Sequence, residues 1–160
     1  MKTILVIAAF AALVVIMVLI IRSRLTSTYT ITVEQLPQIL AALSASSKTP
    51  AFAAFMFASP GQPDAVDYVN LQYSVEDSLV AFDWVLLSSQ NIDDKDRFLA
   101  FARDLGYSPQ MNEQNGVRYL RVGQGDLVRL VREIITGMYR IKETQPLEMI
   151  VEGFEWQPLS

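Results

Sequence analysis

Neither cysteine nor histidine occurs among the 160 residues of this chain. Their absence excludes catalytic dyads and triads that need a histidine base, and zinc sites built from cysteine and histidine. It excludes disulfide bonds as well, and it leaves the cellular compartment undecided. What remains for chemistry is carboxylate, lysine, serine or tyrosine side chains, and oxygen ligands for Mg²⁺ or Ca²⁺.

Basic residues are scarce in the first half of the chain. Residues 25–94 contain one base, Lys48, and eight acids, whereas residues 95–142 contain nine bases and five acids. After Lys142 the chain has four acids and no base. The net charge of −4 argues against nucleic acid as a ligand. The pattern fits either pairing between segments across one surface or a basic face formed late in the domain.

The longest apolar run, residues 4–21, reads ILVIAAFAALVVIMVLII and contains no polar residue. As a helix it would reach roughly 27 Å, close to the hydrocarbon thickness of a bilayer. It is longer than a typical signal-peptide core and does not end in a small-x-small cleavage site, which favours an uncleaved anchor. Lys2 precedes the run, and Arg22 and Arg24 follow it. These charges favour a single-pass protein of the cell (inner) membrane with its domain on the cytoplasmic side.

We therefore expect three parts: a transmembrane anchor with flanking charges at 1–24, a polar linker at 25–32, and one α+β domain at 33–160. A domain of this length is expected to have a single core.

Apolar residues at helical spacing predict three helices in the domain. The first lies near 33–45, and Thr32 with Gln35 fits a capping box at its start. The second opens at 91–96 and ends at a glycine cap, Gly106. Gly125-Asp126 caps the third helix, whose inner face carries leucine, valine, isoleucine and methionine.

Alternating apolar residues and turn signals predict the strands. The expected strands lie at 51–58, 69–75, 79–87, 110–113 and 117–122, with an additional C-terminal strand within 147–156. Asn115-Gly116 is the strongest signal for a two-residue hairpin turn. The predicted fold class is α+β, with the order α-β-β-β-α-β-β-α before the last strand and an antiparallel sheet packed by helices.

In this element order, residues 33–140 resemble the type III secretion chaperone-like fold, a superfamily of small bacterial α+β domains. The resemblance rests on element order and not on a residue motif. Members are typically non-enzymatic protein binders and often dimers, and some resemble immunity proteins, so the resemblance implies a protein partner and a homodimer. The anchor and the extra C-terminal segment depart from the superfamily pattern, which argues against a freely diffusing secretion chaperone.

No residue set indicates catalysis, a metal site or a cofactor. Asp93, Asp94 and Asp96 could supply oxygen ligands, but acids at the start of a helix are the simpler explanation. The glycine-rich loop at 123–126 lacks the Lys-Ser/Thr of a phosphate loop and fits a turn before a helix. Asp83 alternates with two aromatics in a strand, so we expect it to face solvent rather than act as a general base.

Two groups of residues are candidates for partner binding. Arg129 and Arg132 are neighbours on the third helix, and with Arg140 they could form a basic patch for an acidic protein partner. Solvated charges are the alternative interpretation. Phe154 and Trp156 lie near the chain end, where they either pack in the core or form an exposed aromatic contact.

The sequence favours a membrane-tethered, non-enzymatic protein-binding domain that acts as an inhibitor, immunity protein or chaperone-like adaptor. A structural accessory subunit of a membrane complex is the first alternative, because the small residues Ala8, Ala9, Ala11 and Ala12 could let the anchor pack against other helices. A carboxylate- or metal-dependent enzyme is the second.

Overall fold

The computed structural model describes residues 26–46, 50–59 and 68–158. The predicted anchor at 4–21 lies outside these residues, as does most of the loop expected before the strand at 69–75. None of the helices in the described ranges combines the length and the hydrophobicity that a membrane span requires. The anchor therefore stays a prediction from sequence.

A seven-stranded antiparallel sheet forms the centre of the domain. The strands are β1 (Thr26–Ile31), β2 (Ala51–Phe57), β3 (Val69–Glu76), β4 (Leu79–Val85), β5 (Gln110–Gln114), β6 (Val117–Val122) and β7 (Leu147–Glu152). Their spatial order is β1-β7-β2-β3-β4-β6-β5. The predicted C-terminal strand is thus an interior one, and it holds β1 to the rest of the sheet.

Two tight turns close the hairpins β3-β4 and β5-β6. Asp77 and Ser78 have φ angles of 50° and 66°, and Asn115 and Gly116 have φ angles of 52° and 80°. Two successive left-handed residues give a turn whose twist matches that of the flanking strands, and Asn-Gly is a preferred pair for it. The hairpin predicted at Asn115-Gly116 is confirmed.

Helical segments connect the strands. They are a 3₁₀ helix (Val33–Gln35), α1 (Leu36–Ser44), α2 (Ser89–Asp93), α3 (Lys95–Asp104) and α4 (Leu127–Glu133), which continues into a π-helical turn (Ile134–Met138). The Gln35 side chain accepts a hydrogen bond from the Thr32 N–H at 2.9 Å, as a capping box requires. The Asp126 carboxylate accepts one from the Arg129 N–H at 2.9 Å and caps α4, as the sequence predicts.

The core lies between the helices and one face of the sheet. Trp84 of β4 stacks on Phe98 of α3, with ring centroids 4.5 Å apart. The Tyr73 hydroxyl of β3 donates to the Leu127 carbonyl at the start of α4. Because side chains alternate along a strand, alternate residues of β2, β3 and β7 join this core, together with Phe82, Trp84, Leu120 and Val122 of β4 and β6. Burial of each large apolar side chain contributes roughly 1.5–3 kcal/mol before entropy is subtracted.

Two predictions about the elements are wrong. Residues 25–32, expected to be a linker, contain strand β1, whose Ile31 is buried although threonine and serine fill most of the strand. The second helix is divided at Asp94 into α2 and α3. The predicted third helix is present, and it continues from Ile134 to Met138 with π-helical geometry. The folded domain therefore includes residues from 26 onward, and the element order gains an N-terminal strand.

Candidate functional site

The face of the sheet opposite to the helices, here called the open face, carries the candidate site. Its side chains are Phe52, Ala54 and Met56 of β2; Gln72, Ser74 and Glu76 of β3; Leu79, Ala81, Asp83 and Val85 of β4; Val117, Tyr119 and Arg121 of β6; and Glu148, Ile150 and Glu152 of β7. A hollow of about 360 Å³ crosses this face. Strand and turn residues line it, and none of the described helices contributes a lining residue.

A charged cluster lies at the centre of the open face. The Arg121 guanidinium donates to both carboxylate oxygens of Asp83, from Nε at 2.8 Å and from Nη2 at 3.0 Å. The Ser74 hydroxyl donates to the same carboxylate, and Nη1 of Arg121 pairs with Glu76. The guanidinium also lies over the Tyr119 ring, 5.0 Å from its centroid. Side chains of three strands are thus held around one guanidinium.

The strand register explains why these residues meet. Asp83 lies directly opposite Arg121 on β6 and Gln72 on β3. The guanidinium lies across the carboxylate, so that 4% of the Asp83 side chain is exposed, against 22% of the Arg121 side chain. Alternation correctly places Asp83 on the face opposite to Phe82 and Trp84. The prediction that it faces solvent is wrong, because Arg121 covers it.

The pair is stabilised by its own hydrogen bonds. The bond to Asp83 is the main reason why the pKa of Arg121 is raised above its ordinary value, whereas burial of the guanidinium acts in the opposite direction. Both oxygens of the carboxylate accept hydrogen bonds within the cluster. Charge-assisted, bidentate bonds fix orientation as well as distance. These bonds therefore hold the Arg121 guanidinium in a fixed orientation at the centre of the open face.

Apolar side chains surround the charged cluster. Phe52, Val117 and Tyr119 line the hollow beside it. Leu79 at the start of β4 and Leu87 just beyond its end are 73% and 66% exposed. A single exposed leucine is ordinary, but aromatic and aliphatic groups around a fixed arginine are typical of the centre of a protein interface.

A row of carboxylates borders this apolar region on β7. Glu148 and Glu152 flank Ile150 along the strand. The register places Met56 of β2 opposite Glu148, and Phe52 opposite Glu152. Neither glutamate forms an ion pair within the described residues. The open face thus combines an apolar centre with an acidic margin.

The three arginines of the predicted basic patch have different surroundings. Arg129, in the first turn of α4, lines a hollow of about 830 Å³ together with the loop at 123–126. Arg132 lies one turn later and faces Glu143 at 3.6 Å. Arg140 follows the π-helical turn in a left-handed conformation, with φ 56°, and lines another hollow of about 380 Å³. The part that these arginines take in binding stays a prediction.

The two C-terminal aromatics differ in exposure. Trp156 is 3% exposed and meets the Tyr29 ring of β1 edge-on, with centroids 5.3 Å apart. Phe154 is half-buried and packs against the core. For Trp156 the structure supports core packing and not the exposed contact, because the pairing of β1 with β7 brings Tyr29 beside the chain end.

Asp94 connects two helical segments. Its carboxylate accepts a hydrogen bond from the Tyr139 hydroxyl at 2.7 Å and pairs with Arg97 at 3.6 Å. Burial, followed by this hydrogen bond, raises the pKa of Tyr139. Asp96 lies in the first turn of α3, as expected, whereas Asp93 ends α2. Across the described ranges, no group of three or more acidic residues is arranged to hold a metal ion.

No protein-family model matches this chain, and no curated protein or solved structure is significantly similar to it. The resemblance to the type III secretion chaperone-like superfamily accordingly stays a prediction.

The sequence contains a partial signal for the cluster. Ser74, Asp83 and Arg121 all occupy outward positions of strands that alternation locates correctly. Alternation gives the face of each side chain but not the neighbour of each strand. Asp83 meets Arg121 only because β6 returns to pair with β4 after two helices and β5.

Proposed function

We propose that this chain is a membrane-tethered, non-enzymatic protein-binding domain, of the inhibitor, immunity or chaperone-like adaptor kind, that binds its partner through the open face. The observation that carries the proposal is the fixed Asp83–Arg121 pair inside a hollow that both polar and apolar side chains line and to which none of the described helices contributes. Arginine and aromatic side chains held at the centre of a surface are the groups that contribute most to protein–protein affinity.

The predicted tether limits where the partner can be. The apolar run ends at Ile21, and β1 begins at Thr26. The intervening residues span at most about 18 Å when fully extended. The domain would therefore stay close to the bilayer, and its partner would be a membrane protein or a protein held at the membrane. The charges around the run favour the cytoplasmic side of the cell membrane.

Photo-crosslinking of the full chain tests the proposal, in membranes of the cells that produce it. A photoreactive phenylalanine derivative replaces Phe52 or Val117 on the open face and, as a matched control, the exposed Ile92 on α2. We expect one defined protein to be crosslinked from both open-face positions and none from Ile92.

Other outcomes separate the alternatives. Adducts from Ile92 alone, or equal adducts from all three positions, would contradict binding through the open face. A structural accessory subunit that packs through its anchor would instead give adducts from a position within 4–21, such as Ala11. If no position gives an adduct with a protein, the binding function itself is wrong.

A further inference from the structure

The open face carries more negative than positive charge. Its strand residues include four carboxylates and one guanidinium: Glu76, Asp83, Glu148, Glu152 and Arg121. Arg121 is engaged by Asp83 and Glu76, which leaves Glu148 and Glu152 without a cationic partner in the part of the chain that the structure describes. Of the three net negative charges on this face, two therefore lie along β7 and one remains on the cluster of Glu76, Asp83 and Arg121.

The two glutamates have a defined spacing. They lie four residues apart on one strand, which corresponds to roughly 13 Å at ~3.3 Å per residue. Between them lies Ile150, and Met56 and Phe52 of β2 lie directly opposite the two carboxylates. A complementary segment would place basic groups about 13 Å apart with apolar side chains between them.

The position of β7 relative to the predicted tether also favours a basic partner. Glu152 pairs with Thr26, the first residue of β1, so this end of β7 is the one that the predicted tether holds near the bilayer. Membrane proteins concentrate lysine and arginine beside their spans on the cytoplasmic side. The glutamates of β7 repel anionic lipid head groups, so a basic protein segment suits this face better than lipid does.

From this charge and this position, we propose that the occupant of the open face is a basic, amphipathic segment next to a membrane span of another membrane protein. The segment sets its apolar side chains on Phe52, Met56 and Ile150 and its basic side chains on Glu148 and Glu152. This inference rests on the proposed function and names the chemistry of its partner.

A defined peptide tests the inference with the full chain in nanodiscs of zwitterionic lipid. The probe is a fluorescent peptide with lysines four residues apart, leucine midway between them and serine at the remaining positions, so that lysine and leucine share one face of an extended chain. The matched probe carries glutamate in place of lysine. Fluorescence anisotropy is compared for the native chain, for Glu148→Gln/Glu152→Gln, and for Asp96→Asn/Asp104→Asn. The last variant removes two acids from α3 and serves as the control. Nanodiscs without protein correct for binding to lipid.

We expect the lysine peptide to bind the native chain more tightly than the glutamate peptide does. The glutamine variant should bind the lysine peptide about tenfold more weakly, as two lost exposed ion pairs imply, and the α3 variant should change affinity less than twofold. Equal binding of both peptides, or equal losses in both variants, would overturn the inference. If that happens while the crosslinks from Phe52 and Val117 persist, the basic partner is wrong and the binding function stands.

Discussion

The Asp83–Arg121 pair is the feature at the scale of single residues that most affects both fold and site. A carboxylate that is 4% exposed would destabilise the sheet if it were alone. It is compatible with the fold because β6 brings Arg121 and β3 brings Ser74 to its oxygens. The same contacts fix the guanidinium at the centre of the open face.

We expect Arg121→Met to lower the free energy of unfolding by about 3 kcal/mol, because it leaves the Asp83 carboxylate buried without a cation. The double variant Asp83→Leu/Arg121→Met should recover much of this loss, since no charge then needs compensation. Urea denaturation followed by circular dichroism measures both changes. A double variant less stable than Arg121→Met would contradict the role assigned to the pair.

Buried tyrosines limit the stability of the domain at high pH. Burial raises the pKa of Tyr73 and of Tyr139, whereas a tyrosine in the unfolded chain ionises near pH 10. Because the folded-state pKa is the higher one, the stabilisation from these neutral hydroxyls is complete below about pH 10 and decreases as the pH rises above it.

We therefore expect the urea midpoint to fall as the pH rises above about 10, with the hydroxyls of Tyr73 and Tyr139 ionising together with unfolding. Tyr73→Phe removes one of the two groups and should flatten this fall by about 1.4 kcal/mol per pH unit. If Tyr73→Phe lowers the tyrosinate absorbance near pH 10 while the circular dichroism of both chains stays native, the burial of the Tyr73 hydroxyl would be contradicted.

At the scale of elements, β1 and β7 depend on one another. β7 is the only partner of β1 among the described strands. This pairing brings Tyr29 of β1 close to the segment that follows β7, where Trp156 packs against the Tyr29 ring. Alternation of apolar and polar residues does not predict β1, because threonine and serine occupy most of its positions.

A chain that begins at residue 33 should be less stable than one that begins at residue 26, by about 3 kcal/mol or more. The shorter chain loses the buried side chain of Ile31 and the ring contact of Tyr29, and burial of such groups is worth roughly 1.5–3 kcal/mol each. Urea denaturation of the two chains gives the difference. Identical midpoints would mean that β1 does not belong to the folded domain.

The turn after β7 offers a matched pair of glycine substitutions. Gly153 and Gly106 have φ angles of 82° and 90°, so alanine at either position costs about 1 kcal/mol for the left-handed conformation. A Cβ at Gly153 would lie 2.6 Å from the Pro50 carbonyl oxygen, whereas nothing lies within 4 Å at Gly106. We expect Gly153→Ala to destabilise by a further ~2 kcal/mol in thermal unfolding. Equal effects would contradict the close packing of this turn on β2.

At the scale of the whole molecule, the sheet has two unlike faces. The helices bury one face, and the other holds a charged cluster, an apolar surround and two glutamates that form no ion pair with any described residue. A tether a few residues before the edge strand β1 would present the open face to neighbours in the same membrane.

We expect the full chain to stay in the membrane fraction after alkaline carbonate extraction, with residues 4–21 uncleaved. Val15→Lys places a charge at the centre of the run, which costs about 3 kcal/mol of insertion on biological scales, and should move a substantial share of the protein to the supernatant. Leu25→Lys, outside the run, is the control. A mature chain that has lost its first 20 to 30 residues by mass would contradict the anchor.

The sequence alone determined the local structure of this protein. Helix caps at Thr32 and Asp126, the hairpin turn at Asn115-Gly116 and the alternation of Phe82 and Trp84 against Asp83 are set by neighbours in the chain, and the structure confirms them. Such signals are readable because the interactions behind them span only a few residues.

Tertiary structure decided the strand order and everything that depends on it. β7, late in the sequence, enters between the early strands β1 and β2, and β6 returns to β4 after two helices and β5. The strand at residues 26–31 and the pairing of Asp83 with Arg121 follow from those neighbours. Their energies come from contacts between residues that are far apart in the chain, and a periodic pattern contains no information on which strands will meet.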